Sequence, residues 1–210
     1  MKSREFYKLL NQLLTPLLTP YGFTKGDSKK AIFHRNVGDE VYHIICPWLV
    51  GRGGQWFDIK VLATSPLIDI HFFDNFPDNL GMPTDRPTRL KPNGMTHLAN
   101  GVFRGNKSEG LVRNFNTQAK PAIVKHAIPY LDKIDTLKKL RKSMRPPDVQ
   151  IGGLSYALAH WHTGKKRKGK KLLLEHRDYL LETMVEGKYD KSVISQYTYT
   201  VEYIEKLLGT

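Results

Sequence analysis

From Arg4 to Thr19 the apolar residues Phe6, Leu9, Leu10, Leu13, Leu14, Leu17 and Leu18 recur at three- and four-residue steps. That spacing puts them on one stripe of an amphipathic helix. Ser3 is placed to cap the first free amides, and Glu5 suits the positive end of the helix dipole. Pro16 predicts a kink or an early end, because its ring crowds the carbonyl of Gln12. Pro20 and Gly22 then stop the helix. Beyond them the period drops from helical to two. Ala31–Asn36 and Glu40–Trp48 predict strands joined by a turn at Gly38 and Asp39. A second turn, Gly51-Arg52-Gly53-Gly54, leads to a stretch in which Phe57, Ile59, Val61 and Ala63 alternate with Trp56, Asp58, Lys60 and Leu62. Such a strand has one apolar and one mainly polar face. Leu67–Phe73 is read as a fourth strand and Met95–Asn100 as a short closing one.

Asp74–Asn93 is rich in Pro, Asp, Asn and Gly, and reads as a long irregular loop. Glu109–Gln118 begins a helical stretch, Pro121 opens a new helix at its first turn, and Pro129 interrupts or bends it. Lys133–Met144 reads as a basic helix ended by Pro146 and Pro147. Three further helices follow. Ile151–His162 presents Ile151, Leu154, Leu158 and Trp161 on one face. Leu172, Leu173, His176, Tyr179, Leu180 and Met184 mark the second, and Val193 to Leu208 the third, closed by Gly209. The first two resemble a tetratricopeptide-like hairpin, with small residues Ala157 and Gly169 where such helices cross closely. The pattern predicts an α+β protein. An antiparallel sheet of three to five strands is packed by an N-terminal and a middle helix in a domain of residues 1–147. A C-terminal three-helix tail, residues 148–210, packs on that domain.

Hydrophobic residues make up 40% of the 210-residue chain and charged residues 25%, values of a folded domain with a core of its own. Cys46 is the single cysteine, which precludes an intramolecular disulfide and suits a reducing compartment. No apolar run reaches the ~18 residues of a transmembrane helix, and the N-terminal leucines do not form a signal-peptide core. The expected location is the cytoplasm.

Charge changes the picture most. The formal net charge is +13, and six of the seven residues from Lys165 to Lys171 (KKRKGKK) are cationic. These are Lys165, Lys166, Arg167, Lys168, Lys170 and Lys171, read as an exposed loop between two tail helices. Lys138, Lys139, Arg141, Lys142 and Arg145 form a second cluster on a helix end. Cations grouped in this way release counterions when they meet phosphates, which gives affinity without sequence specificity. They point to a nucleic acid or an acidic protein as partner. As a structural feature alone, the same run is a solvated loop, and the second cluster complements a helix C-terminus. No RNA-binding aromatic motif or helix-turn-helix pattern organises the aromatic residues.

Other constellations are weaker. His160 and His162 lie two apart, about 200° around a helix, and do not suit one shared metal ion. Asp58, Asp69, His71, Asp74 and Asp78 follow no nuclease spacing, although a site assembled in space is open to them. Cys46 reads as a small core residue. The GRGG turn lacks the lysine and hydroxyl of a phosphate loop and joins strand to strand. No cofactor and no metal is expected, and a binding protein is favoured over an enzyme.

The segment REFYKLLNQLLTPLLTPYGFTKGDSKKAIFHRN, with the strands VYHIICPW and WFDIKVLAT and the helix AIPYLDKIDTLKKL, is similar to the bacterial domain of unknown function 4304 family. The shared features are a leading helix, the Tyr21-Gly22-Phe23 turn, a basic link, aromatic Phe33, and Pro129, Leu131 and Asp135 in the later helix. The similarity spans Arg4 to Leu140, and the Asp74–Asn93 loop and the basic charge depart from it. The resemblance implies no reaction and no catalytic residues. Non-enzymatic binding of an acidic partner, foremost nucleic acid, is therefore the leading reading. An immunity or defence-associated protein–protein role is the alternative, and a metal-dependent hydrolase comes third.

Overall fold

The structure is a computed structural model. It describes residues 2–26, 31–38, 40–50, 56–70, 88–91, 94–96, 103–104, 107–144, 153–186 and 189–210. The chain divides into two compact units, Met1–Leu140 and Arg141–Thr210.

In the first unit, helix α1 (Ser3–Leu18) buries Phe6, Leu10, Leu14 and Leu18, the four-residue rungs of the predicted stripe. Two expectations about its ends change. Lys2, not Ser3, is the N-cap, and its N–H donates to Glu5 Oε2 at 3.0 Å. Pro16 lies inside the helix, which runs two residues past it. A 3-10 turn (Thr19–Tyr21) and Gly22, at φ +78°, then end it.

The sheet is antiparallel, with β1 (Thr24–Lys25), β2 (Phe33–Asn36), β3 (Tyr42–Val50), β4 (Trp56–Thr64), β5 (Thr88–Lys91) and β6 (Gly94–Thr96) side by side in chain order. Strand β7 (Phe103–Arg104) also pairs with β4. Among the described residues five of the seven strands are three residues or longer, and β1 and β7 have two each. The α+β class is as expected. Three details are not. Residues 66–68 turn, with the Ile68 and Asp69 amides bonding the Ser65 carbonyl at 3.1 and 2.9 Å, so the fourth strand read at Leu67–Phe73 is absent over its described part. Residues 88–91, assigned to a loop, form β5 by pairing Lys60 with Arg89 and Val61 with Thr88. The predicted Met95–Asn100 strand starts at Gly94, and its second half lies outside the described residues, as do the GRGG turn and 74–87.

A long helix, α2, covers residues 108–132. It begins as Ser108–Asn114, passes through π-helical Phe115–Ala119 and Ile123–Ala127, and ends as Ile128–Asp132. Neither proline breaks it. Each π turn closes on the residue just before a proline: Lys120 N–H bonds Phe115 C=O, and Ile128 N–H bonds Ile123 C=O. The wider turn gives the rings of Pro121 and Pro129 the room that an α turn denies them. The basic helix predicted for Lys133–Met144 is shorter. Residues 133–136 turn, and α3 spans Leu137–Ser143, with Thr136 Oγ1 accepting Lys139 N–H at 3.3 Å.

The core of this unit lies between the sheet's inner face (Phe33, Ile45, Phe57, Ile59, Val61, Phe103), α1 and α2. Phe6 meets Phe57 edge-on at 5.7 Å, and Phe57 meets Phe103 at 5.3 Å. Where α2 ends, a polar network that runs from buried His43 to exposed Asp132 ties it to the sheet. Arg35 Nε donates to His43 Nδ1 at 3.1 Å, Arg35 Nη1 donates to Tyr21 O at 3.0 Å, and Arg35 pairs with Asp132. The Arg35 bond makes Nδ1 an acceptor, so the His43 proton sits on Nε2 and goes to the Ile134 carbonyl at 2.7 Å. His43 is fully buried, and burial holds its pKa below the ordinary histidine value.

A lowered folded pKa means that the unfolded chain binds the extra proton first as pH falls. The stabilising contribution of neutral His43 is therefore complete above about pH 6.5 and is lost progressively below it. Denaturant midpoints followed by tryptophan fluorescence are expected to fall from pH 7 to pH 5, less steeply in His43→Gln, and an unchanged slope in that variant would overturn the assignment.

Candidate functional site

Among its described residues the second unit holds, after the end of α3, the helices α4 (Gly153–His162), α5 (Lys166–Val185) and α6 (Lys191–Leu208). The basic run is not a loop. Lys165 is the N-cap of α5, and Lys166 to Lys171 form its first turns. The connection is only Thr163 to Lys165. Gly164 adopts φ +81°, and the Lys165 amide reaches back to the His160 carbonyl at 2.9 Å. That is a Schellman closure of α4, in which glycine supplies the left-handed residue.

Gly169 fixes how α5 meets α4. A Cβ there would lie 2.7 Å from Trp161 N and 2.8 Å from its Cα, so only a glycine allows the two backbones this approach. Its buried stripe continues through Leu173 and Leu180. With about 100° per residue, Lys166, Arg167, Lys168, Lys170 and Lys171 fill the arc that this stripe leaves to solvent, and all five are exposed, as is Lys165.

The six cations are not equivalent. Lys166 Nζ sits over the Trp161 ring at 3.9 Å from its centroid. Lys168 Nζ reaches the Tyr156 hydroxyl at 3.4 Å and stands 5.4 Å from that ring. Lys171 pairs with Glu175 at 3.7 Å. Among the described residues Lys165, Arg167 and Lys170 make no ion pair, and Glu175 is the first acidic residue of α5. Gly164, Lys165, Lys166, Arg167, Lys168 and Lys171 line an open concavity of about 510 Å³. Lys165, Lys168 and Arg141 add to burial in holding His160 below the ordinary histidine pKa. That ring is neutral, with Nδ1 bonded to the Tyr156 carbonyl at 2.9 Å. His160 is thus committed to its own helix.

The second cluster is spread around α3. Lys138, Lys139 and Lys142 are exposed, and Lys139 pairs with Asp135 at 2.7 Å. Arg141 is half-buried and donates to Thr163 Oγ1 at 2.8 Å, bracing the α4–α5 turn. Arg145 lies outside the described residues. So do His71, Asp74 and Asp78. Asp69 accepts from Thr64 Oγ1 at 3.3 Å, and Asp58 and Cys46 are buried. Among the described residues no three His, Cys, Asp or Glu side chains gather as a metal site. None of the described helices is long and apolar enough to cross a membrane.

Sequence reasoning missed the part played by Gly164, and it read Arg141 as a phosphate contact rather than as a brace of the α4–α5 turn. The signal for the first was a glycine directly after the last periodic position of α4. Arg141 carried none, since its partner Thr163 is 22 residues away. No protein-family model matches the chain, and neither the curated proteins nor the solved structures provide a match.

Gly169→Ala is expected to lower stability by about 1–3 kcal/mol, because the methyl group meets the Trp161 backbone. Gly110→Ala, in a helix with open space around it, serves as the opposite control and is expected to gain up to about 1 kcal/mol. Chemical denaturation of the two variants checks both signs.

Proposed function

We propose that the protein is a non-enzymatic, cytoplasmic binding protein that engages the phosphates of a nucleic acid through the N-terminal turns of α5. The observation that carries this reading is the open concavity ringed by Lys165, Lys166, Arg167, Lys168 and Lys171. Helix geometry supports it from a second direction. The first amides of α5 have no side-chain cap, and its first turn holds no acidic residue. An anion there meets unsatisfied N–H groups, the positive end of the dipole and the lysine side chains together. Lys138, Lys139 and Lys142 on α3 add further phosphate contacts, while Arg141 supports the hairpin turn. A diffuse positive charge of +13 steers the encounter. A single cysteine, the buried Cys46, fits a reducing compartment.

Contacts of this kind make affinity fall linearly with salt on a logarithmic scale. Fluorescence anisotropy with a labelled oligonucleotide is expected to show a steep loss of affinity between about 50 and 200 mM salt. Replacing the six cations from Lys165 to Lys171 by Gln weakens binding at least about tenfold and flattens that slope, with the circular dichroism spectrum unchanged. Residual binding persists through the other basic groups. Salt-independent binding, or an unaltered slope in the neutralised variant, would sink the proposal.

A further inference from the structure

A second set of cations lies on the outer face of the sheet in the first unit, each seated on an indole ring. Register puts Trp48 opposite Asp58 and Trp56 opposite Val50 on the β3–β4 pair. The two tryptophans therefore share a face in diagonal positions, about 7–8 Å apart. Lys60 Nζ stands 3.9 Å from the Trp48 ring centroid, and the Arg104 guanidinium carbon stands 4.9 Å from that of Trp56. Arg104 is also the cross-strand partner of Trp56 through β7. On the opposite face of β4 Phe57, Ile59 and Val61 are fully buried, and on this face Asp58, Lys60 and Leu62 are buried as well. Trp48 and Trp56 nevertheless keep 42% and 36% of their surface in solvent.

Two exposed indoles within reach of each other, each held by a cation, combine the two chemistries that a single nucleic-acid strand requires. Its unpaired bases offer ring faces for stacking, and its backbone offers charge for the cations. An apolar peptide has no use for the cations. A duplex keeps its bases stacked on one another and cannot offer their faces. We infer that Trp48 and Trp56 form a stacking platform for neighbouring bases of a single-stranded nucleic acid. Exposed Arg104 meets the backbone phosphates, and buried Lys60 fixes the Trp48 ring from behind. The ligand class rests on the nucleic-acid reading above, but the residues and the selectivity are separate from it.

The test compares a labelled single-stranded 20-mer with its duplex, in moderate salt. The proteins are the wild type, Trp48→Leu with Trp56→Leu, Trp48→Phe with Trp56→Phe, and the Gln-neutralised α5 variant. The leucine pair keeps apolar bulk but loses the ring faces. It is expected to lose about tenfold or more in single-strand affinity while its duplex affinity stays within about twofold. The phenylalanine pair retains most of the single-strand affinity, which also guards against a leucine pair that folds poorly. Quenching of tryptophan fluorescence by the single strand is expected to be strong in the wild type and to fall to the contribution of Trp161 alone in both tryptophan-replaced pairs. If the leucine pair loses single strand and duplex alike, or loses neither, the platform is overturned while the α5 reading stands. Weakening by the leucine pair alone, with the Gln variant unaffected, removes the α5 reading and keeps the platform. Binding of neither form by the wild type removes both.

Discussion

Strand β4 is bonded along both edges, to β3 on one side and to β5 and β7 on the other. In such a strand the side-chain period of two is a strict constraint, since a slip of one residue would exchange its faces. One face supplies Phe57, Ile59 and Val61, against which α1 and α2 pack. The other supplies Trp56, Asp58, Lys60 and Leu62. The same register that seals the core therefore also sets out the tryptophans and their cations. A register error would take Asp58 and Lys60, already buried on the outer face, away from the partners they have there and into the apolar core, at a cost of several kcal/mol for each unpaired charge. Core formation and presentation of the outer face are one decision of the chain.

In the second unit the corresponding constraint is steric. Gly169 stands where a side chain would strike the Trp161 backbone, and glycine in a helix interior costs about 1 kcal/mol relative to alanine. The close approach it allows offsets that cost through packing along Leu173 and Leu180. The consequence for the surface is direct. With Gly169 facing α4, its neighbours in sequence must face solvent, and those neighbours are cations.

Much of this was legible from pattern alone. The α1 stripe, the alternation in β4, the glycine at the α4–α5 crossing and the glycine after α6 all follow from spacing or from local backbone need. What escaped was decided by partners distant in sequence or by competing local rules. β5 forms because residues 88 and 89 find β4, which no local composition announces. Pro121 and Pro129 stop helices in ordinary geometry, and the π turns that absorb them leave no sequence mark. The run KKRKGKK read as a solvent-projecting loop where two helices meet, and charge repulsion and the dipole both oppose the helix start that is found there. Packing of Gly169 overrode both. The outer sheet face was expected to be mainly polar, yet its charged Asp58 and Lys60 are buried while Trp48 and Trp56 are exposed.

That override leaves a local tension. Helix α6 begins conventionally, with Asp190 accepting the Ser192 hydroxyl at 2.6 Å and the amides of Val193 and Ser192 at 3.0 and 2.9 Å, which together hold its carboxyl below the usual range. Helix α5 begins with six cations and no such acceptor. Each cation near a helix N-terminus opposes the dipole by a few tenths of a kcal/mol to about 1 kcal/mol, and the pairs Lys166–Lys170 and Arg167–Lys171 repel at i,i+4 spacing. Lys166 and Lys168 settle partly on aromatic rings, and Lys171 on Glu175. Lys165, Arg167 and Lys170 find no counter-charge among the described residues. A bound anion relieves the dipole and the repulsion at once, so its binding energy adds to the stability of the helix it docks on. The strongest electrostatic argument for an anionic partner is thus the poor start of α5 without one.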